Sequence, residues 1–224
     1  MTTPILLIEL HRPGPAASGI GQDGFIAIEW WPDDFVALHD AARRGIIVVA
    51  AAGNGGEDLD ATIYDAALPG FPPWWANPFR RTRLDSGSVL VGAGAPPPGT
   101  NGADHGPDRS RLAFSNFGSA VDAQGWGREV TTCGYGDLHG GPNPDRWYTS
   151  GFSGTSSASP IVVGALAALQ GILKHRGGLM GPALARRILR MTGSPQQAAP
   201  GRPAAQRIGT RPDLRQMIAR VHMV

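Results

Sequence analysis

The chain has 224 residues, of which 42% are hydrophobic and 17% charged, and this is the composition of a folded globular protein with one sizeable core. The formal charge is +2, and the basic residues are scattered rather than interleaved with aromatic ones, which argues against a nucleic-acid partner. The single cysteine, Cys133, excludes an internal disulfide framework and any multi-cysteine metal site. We expect one domain, and no membrane partner, because we expect no apolar run of membrane-spanning length.

The first quarter of the chain predicts strands around one helix. Apolar runs at 4–10 and 24–30, separated by turn-forming residues, predict two strands. Helical spacing of apolar residues predicts a helix over 34–44. The continuous apolar run 46–52 is typical of a buried parallel strand. This strand–helix–strand order predicts an α/β fold, with a mostly parallel sheet and helices on both faces.

The rest of the chain predicts a long loop, one more sheet strand and three helices. Residues 53–85 are irregular and rich in Pro and Trp, and the apolar run 88–95 predicts the next strand. The segment 157–175 is apolar on nearly all faces, which is typical of a helix buried in a core. Two shorter amphipathic helices are predicted near 181–191 and 212–222.

The strongest motif for chemistry is the segment 152–160, FSGTSSASP, which leads directly into the predicted core helix. It resembles the Gly-Thr-Ser-x-Ala-x-Pro motif of subtilisin-like serine proteases at five positions: Gly154, Thr155, Ser156, Ala158 and Pro160. A serine at a helix N-terminus sits where free amides and the helix dipole favour developing negative charge. The resemblance implies that Ser156 is the nucleophile. The alternative is that these Ser and Thr residues only cap a helix.

The second motif is the Ala-Gly-Asn-Gly sequence that ends the strand 46–52. It also resembles the subtilisin-like family, in which the Asn side chain donates to the tetrahedral oxyanion, so the resemblance gives Asn54 that role. The carboxyl ends of strands in an open α/β sheet are where ligands bind, which suits this position. The alternative is an ordinary Asn-Gly turn.

The resemblance runs from about Gly24 to the C-terminus and implies a partial subtilisin-like peptidase domain over 1–224 that lacks the family's early strands. It implies a serine endopeptidase that hydrolyses peptide bonds through a Ser acyl-enzyme. A protein or peptide substrate would lie as an added strand between two backbone segments. The residues expected to bind it are Glu29, Trp30, Ala51, Ala52, Gly53 and Thr155.

Glu29 raises a question of specificity. Facing the substrate pocket, its carboxylate would favour a basic substrate side chain through a charge-assisted bond. The equally weighted alternative is that Trp30 and Trp31 pack in the core and Glu29 is solvated at a strand end.

The family's catalytic Asp and His are missing from the expected places. A serine hydroxyl needs a neighbouring base, and that base needs an orienting group. In the family both precede the Asn, but His11 lacks the motif context, His39 falls within a predicted helix, and His105 follows Asn54 and breaks the chain order. Three explanations stay open: an upstream segment supplies Asp and His, a second chain supplies them, or the protein is a non-catalytic pseudo-protease that acts as a peptide-binding scaffold.

No cofactor is predicted, and no metal ligand is assigned. Four acidic residues cluster after Asn54, but their spacing is not that of an EF-hand loop, and calcium binding stays open. No signal peptide is predicted at the first residues. The resemblance implies a secreted or extracellular protein only if it holds for the full-length protein.

Overall fold

The computed structural model describes residues 3–221. Its strands are β1 (Ile5–Ile8), β2 (His11–Pro13), β3 (Phe25–Ala27), β4 (Ile47–Ala51), β5 (Val89–Gly94), β6 (Val121–Trp126), β7 (Val130–Cys133) and β8 (Tyr148–Phe152). Its α-helices are α1 (Pro32–Arg43), α2 (Thr155–His175), α3 (Pro182–Met191) and α4 (Leu214–Val221). The helix predicted at 212–222 corresponds to α4, and residue 222 lies outside the described residues.

A four-stranded parallel sheet with the order β1-β4-β5-β6 forms the centre of the fold. Strand β4 is buried along its whole length, as its uniform apolar sequence predicts, because it has neighbours on both sides and helices above and below. The register places Leu7 opposite Val49 and Val49 opposite Val89, so these side chains point to the same face of the sheet.

Both faces of the sheet are covered. On one face, Ile47, Val49 and Val91 pack with α2, α3 and α4, through buried residues such as Leu166 and Met217. On the other face, α1 and an aromatic cluster cover the remaining side chains of β4 and β5. The predicted α/β class, with a mostly parallel sheet and helices on both faces, is therefore confirmed.

The predicted strand at 24–30 is only partly correct. Residues Phe25–Ala27 form β3, but β3 pairs antiparallel with β2 in a separate two-stranded sheet. The chain then turns through the 3-10 helix Ile28–Trp30. The cause is the buried indole of Trp30, which donates from Nε1 to the carbonyl of Tyr64 at 3.0 Å and holds this segment in the core.

Helix α2 is long enough, at 21 residues, and apolar enough to cross a membrane by length and composition alone. The expectation that no segment reaches that length is therefore wrong. Its residues Ala158, Val162, Leu166 and Leu169 are fully buried against the sheet. We interpret α2 as the core helix that the sequence predicts.

Candidate active site

The first turn of α2 presents Ser156 at the edge of the central sheet. The helix begins directly after Gly154, whose φ of 102° and ψ of 175° place it in a region that is nearly exclusive to glycine. Gly125 of β6 lets the helix start come close, since a Cβ at this position would lie 2.3 Å from the carbonyl oxygen of Ala158. The half-buried Ser156 thus lies at the positive end of the helix dipole.

Asn54 is joined to the same turn by two hydrogen bonds. Strand β4 ends at Ala51, and Asn54 follows at its carboxyl end. The side-chain Oδ1 of Asn54 accepts from the backbone N of Thr155 at 2.9 Å and from Thr155 Oγ1 at 2.8 Å. Since Oδ1 is engaged by Thr155, the carboxamide is oriented with its Nδ2 donor on the other side. The two motifs that the sequence singled out therefore meet in space.

Asn54 and Ser156 line one cavity of about 630 Å³. Its walls come from the segment that joins β1 to the start of β2, from the loops after β2, β4, β5 and β6, and from the end of β8 with the turn before α2. The other lining residues are Glu9, Leu10, His11, Gln22, Phe114, Arg128, Phe152, Ser153 and Gly154. This size is within the range of small-molecule and peptide-side-chain pockets.

Sequence reasoning missed three polar residues of this cavity. The Ser156 hydroxyl donates to the backbone carbonyl of Glu9 at 3.2 Å. The backbone N of Asn54 donates to His11 Nδ1, and Asn54 Nδ2 donates to Gln22 Oε1, both at 3.2 Å. Glu9 and His11 follow the carboxyl end of β1, so the rule that ligands bind beyond parallel strand ends could have found them.

The three small residues expected to bind substrate beside Asn54 lie beneath the cavity. Ala51, Ala52 and Gly53 are buried. The carbonyl of Ala52 accepts from Asn116 Nδ2 at 2.8 Å, and the carbonyl of Gly53 accepts from the backbone N of Asn116 at 3.1 Å. The structure does not place these residues in the cavity lining, because the main chain there is covered by the loop of Asn116.

Thr155 is also buried, and its hydroxyl faces Asn54. It therefore supports the carboxamide, and the structure does not place it in the cavity lining.

Glu29 and Trp30 do not lie at this cavity, and the expectation that they contact substrate needs correction. Both side chains are fully buried. Glu29 Oε2 accepts from the hydroxyls of Ser86, at 2.6 Å, and Ser88. Burial raises the pKa of Glu29 above its ordinary value. The reason for the error is topological: β1, rather than the 24–30 segment, is the strand beside β4.

None of the histidines in the described residues forms a hydrogen bond with the hydroxyl of Ser156. His39 stacks on Phe35, and its Nδ1 lies 3.1 Å from the carbonyl oxygen of Asp85. His105 Nε2 lies 2.8 Å from Glu129 Oε1. His11 is in the cavity, but its Nδ1 is occupied by Asn54.

The acidic residues after Asn54 are paired with protein groups. Glu57 accepts from the Tyr64 hydroxyl at 2.6 Å, and Asp60 accepts from the Ser119 hydroxyl at 2.6 Å. Asp65 accepts from Arg80 Nε at 3.1 Å. Within residues 3–221, no group of three or more His, Cys, Asp or Glu side chains is arranged to hold a metal ion.

The arrangement has two of the parts that acyl transfer needs. One is a hydroxyl at a helix N-terminus, and the other is a carboxamide whose orientation is fixed by its oxygen. Asn54 Nδ2 and the Ser156 hydroxyl belong to residues that line the same cavity, at the helix start where backbone amides are unpaired. A base for the hydroxyl proton is the third part, and the described residues do not show one in contact with Ser156.

Solved structures with a similar fold are proteases. The patellamide maturation protease PatA superposes with a TM-score of 0.55 at 24% identity, covering 84% of this chain and 56% of that chain. The self-cleaved protease domain of PatA superposes with a TM-score of 0.56 at 22% identity, covering 98% of this chain and 62% of that chain. Proteases from Pseudoalteromonas arctica give 0.57 at 20% identity, with coverages of 96% and 50%. These identities are low enough that the likeness concerns the fold, and the chain spans between 50% and 62% of the length of these structures.

The comparison with curated proteins gives no match. The family model of the peptidase S8 subtilases matches residues 27–209, a range that contains both Asn54 and Ser156. With the parallel sheet, the Asn at a strand end and the Ser at the start of the core helix, this match shows that the chain belongs to the subtilase family.

Proposed function

We propose that this chain carries the nucleophile and the oxyanion donor of a subtilisin-type serine endopeptidase. Ser156 attacks the scissile carbonyl and forms an acyl-enzyme, while Asn54 Nδ2 and a backbone amide of the α2 start hold the oxyanion. The observation that carries the proposal is the pair of hydrogen bonds between Asn54 and Thr155, which brings the two motifs into one cavity.

The proton of Ser156 requires a base from outside the described site. The hydroxyl donates to the carbonyl of Glu9, which cannot serve as the base. We therefore place the catalytic His and its orienting Asp on another segment of the full-length protein or on a second chain. The length of the similar protease structures, of which this chain spans 50–62%, favours this part of the proposal.

The free edge of β1 is the place where such a segment would join. In the described residues, β1 pairs with β4 on one side and has no strand partner on the other. Leu6 is exposed there, and an unpaired strand edge is a template for another strand. A strand added at β1 would end beside Glu9, next to the Ser156 hydroxyl.

A fluorophosphonate probe, which reacts with activated serines, tests the proposal. We expect slow labelling of the 224-residue chain, and rapid labelling at Ser156 in the longest natural chain or in the assembly with its second chain. Ser156→Ala should abolish the rapid labelling. Ser153→Ala is the matched control, because Ser153 lines the same cavity outside the helix, and it should label as the unchanged protein does.

The role of Asn54 is tested in the same complete enzyme. Asn54→Ala should lower peptide-hydrolysis turnover by about 10²–10³, the magnitude known for the oxyanion Asn of subtilisin itself. Gln22→Ala, which removes a neighbour that only accepts from Asn54, should have a much smaller effect.

Two outcomes contradict the proposal. Rapid labelling of the isolated chain would mean that a base lies within it. Absence of labelling in the longest natural chain would favour the second candidate, a peptide-binding scaffold that keeps the cavity without hydrolysis.

A further inference from the structure

His11 is the acceptor for the main chain of Asn54. It is the first residue of β2, and it is half-buried with its ring edge-on to Phe25 at a centroid distance of 5.0 Å. Its Nδ1 accepts from the backbone N of Asn54 at 3.2 Å. Because an accepting nitrogen carries no proton, the neutral ring has its proton on Nε2. A half-buried backbone N–H needs such a partner, and the described structure shows this one for Asn54.

We infer that His11 is a positioning residue: its neutral imidazole holds the Asn54 main chain so that the carboxamide reaches the cavity, and protonation of the ring releases this hold. The inference rests on the proposed function in one respect, the oxyanion role of Asn54.

The contacts of Asn54 divide into two sets. Thr155 fixes the carboxamide oxygen, and Gln22 accepts from Nδ2. His11 fixes the main chain. Gly53 and Gly55 on either side are held by backbone hydrogen bonds to Asn116 and Phe25, so His11 is the partner that fixes the peptide N–H of Asn54 itself. Loss of this partner allows the peptide group to rotate while Oδ1 stays at Thr155, and such a rotation tilts Nδ2 away from its donor direction. A misplacement on the scale of 1 Å can cost orders of magnitude in rate.

Protonation of Nδ1 turns the attractive hydrogen bond between His11 and the Asn54 amide into a repulsive contact. With a proton on Nδ1, the ring would present N–H to the N–H of Asn54, so two donors would face each other. Burial lowers the pKa of His11 below its ordinary 6.5, which keeps the ring neutral at pH 7. The hydrogen bond between Asn54 N and His11 Nδ1 is therefore present at neutral pH and is lost as the pH falls through the pKa of His11 in the folded protein.

The charged groups near the ring do not remove this dependence. Glu9 and Arg128 line the same cavity, and burial raises the pKa of Glu9 above its ordinary value. Arg12, the next residue in β2, is paired with Asp33 and Asp34 at the start of α1. Burial of the imidazole, and not a charged neighbour, is what lowers the pKa of His11.

Nuclear magnetic resonance of the full 224-residue chain tests the anchor without any need for activity. The amide signal of Asn54 is followed from about pH 8 to about pH 4.5, together with the ring signals of His11. We expect the Asn54 amide to titrate with the same midpoint as the His11 ring. His11→Asn places an oxygen near the Nδ1 position and does not titrate, so the Asn54 amide should stay in its neutral-pH position across this range.

Two further variants complete the design. His39→Asn removes a histidine outside the cavity and should leave the Asn54 titration unchanged. His11→Leu removes the acceptor, and the Asn54 amide should exchange with solvent faster at every pH. Should His11→Leu fail to fold, His11→Asn still decides the question.

The inference is overturned if the Asn54 amide does not move when His11 titrates, or if it titrates equally in His11→Asn. In the complete enzyme, loss of the acceptor in His11→Leu should lower turnover about five- to thirtyfold, and His11→Asn should restore it, while the acid limb that the catalytic His imposes on the pH profile remains. An inactive complete enzyme would count against the proposed function, while the resonance result would still stand for His11.

Discussion

Replacement of Gly154 by alanine tests how α2 is held at the site. Gly154 precedes the first turn with φ 102° and ψ 175°, a conformation that alanine rarely adopts. A Cβ at this position would also lie 3.2 Å from Asn54 Nδ2. The substitution therefore strains the helix start and pushes against the carboxamide at the same time.

The expected cost comes mainly from the backbone. A non-glycine residue in this region costs about 1–3 kcal/mol, and the contact with Nδ2 adds to it unless Asn54 moves. We expect Gly154→Ala to lower the free energy of unfolding by at least about 1 kcal/mol. Displacement of Asn54 should also weaken its hydrogen bonds to Thr155 and shift the amide resonances of both residues.

A glycine in the same helix serves as the control. Gly164 is exposed within α2, and a Cβ there would meet nothing within 4 Å. Gly164→Ala should stabilise the chain by about 0.5–1 kcal/mol, because alanine loses less conformational entropy in a helix. Urea unfolding monitored by circular dichroism measures both variants. Equal stability of Gly154→Ala and the unchanged protein would refute the argument.

Two further predictions concern the buried charges behind the sheet. Asp122 is fully buried and accepts from Arg81 at 2.7 and 2.9 Å and from Arg190 at 2.5 Å. Asp122→Asn should therefore lower the free energy of unfolding in urea by about 3–5 kcal/mol. The control Asp40→Asn, in an exposed pair with Arg44, should lower it by less than about 0.5 kcal/mol. Burial raises the pKa of Glu29 above 4.5, so its contribution to stability is full below about pH 4.5 and is lost as the pH rises through the folded pKa. The free energy of unfolding of the unchanged protein should therefore fall, relative to that of Glu29→Gln, as the pH rises above about 4.5. Parallel curves of unfolding free energy against pH for the two proteins would contradict the raised pKa of Glu29.

Local patterns predicted the elements of the central sheet well. The uniform apolar runs at 4–10, 46–52 and 88–95 correspond to strands, and the apolar segment at 157–175 corresponds to α2. Strands β4 and β5 could be predicted because both are buried along their whole length, so their composition reports their environment. Helix α2 could be predicted from its apolar residues that pack on the sheet, and β1 from an apolar run, although β1 is only half-buried at the sheet edge.

The walls of the cavity could not be predicted in the same way. They depend on which strand lies beside β4, and this is a non-local choice that no local pattern encodes. The 24–30 segment has the composition of a sheet strand, yet Trp30 is drawn into the aromatic cluster and β1 takes the place beside β4. For this reason Glu29 was expected beside the substrate, whereas the structure places Glu9 and His11 in the cavity lining and Glu29 in the core.

The Asn54 and Ser156 motifs were informative because they lie at a contact between distant parts of the chain. Asn54 and Thr155 are 101 residues apart, yet they are connected by two hydrogen bonds across the end of β4 and the start of α2. The packing of α2 on the sheet sets this contact, so the relative placement of Ser156 and Asn54 is formed whenever the core is formed. A base is a separate requirement, which the core does not supply. Under the proposed function, the same folded site would bind a peptide without a base and would hydrolyse it with one, so the difference between scaffold and protease would lie in the histidine that reaches Ser156.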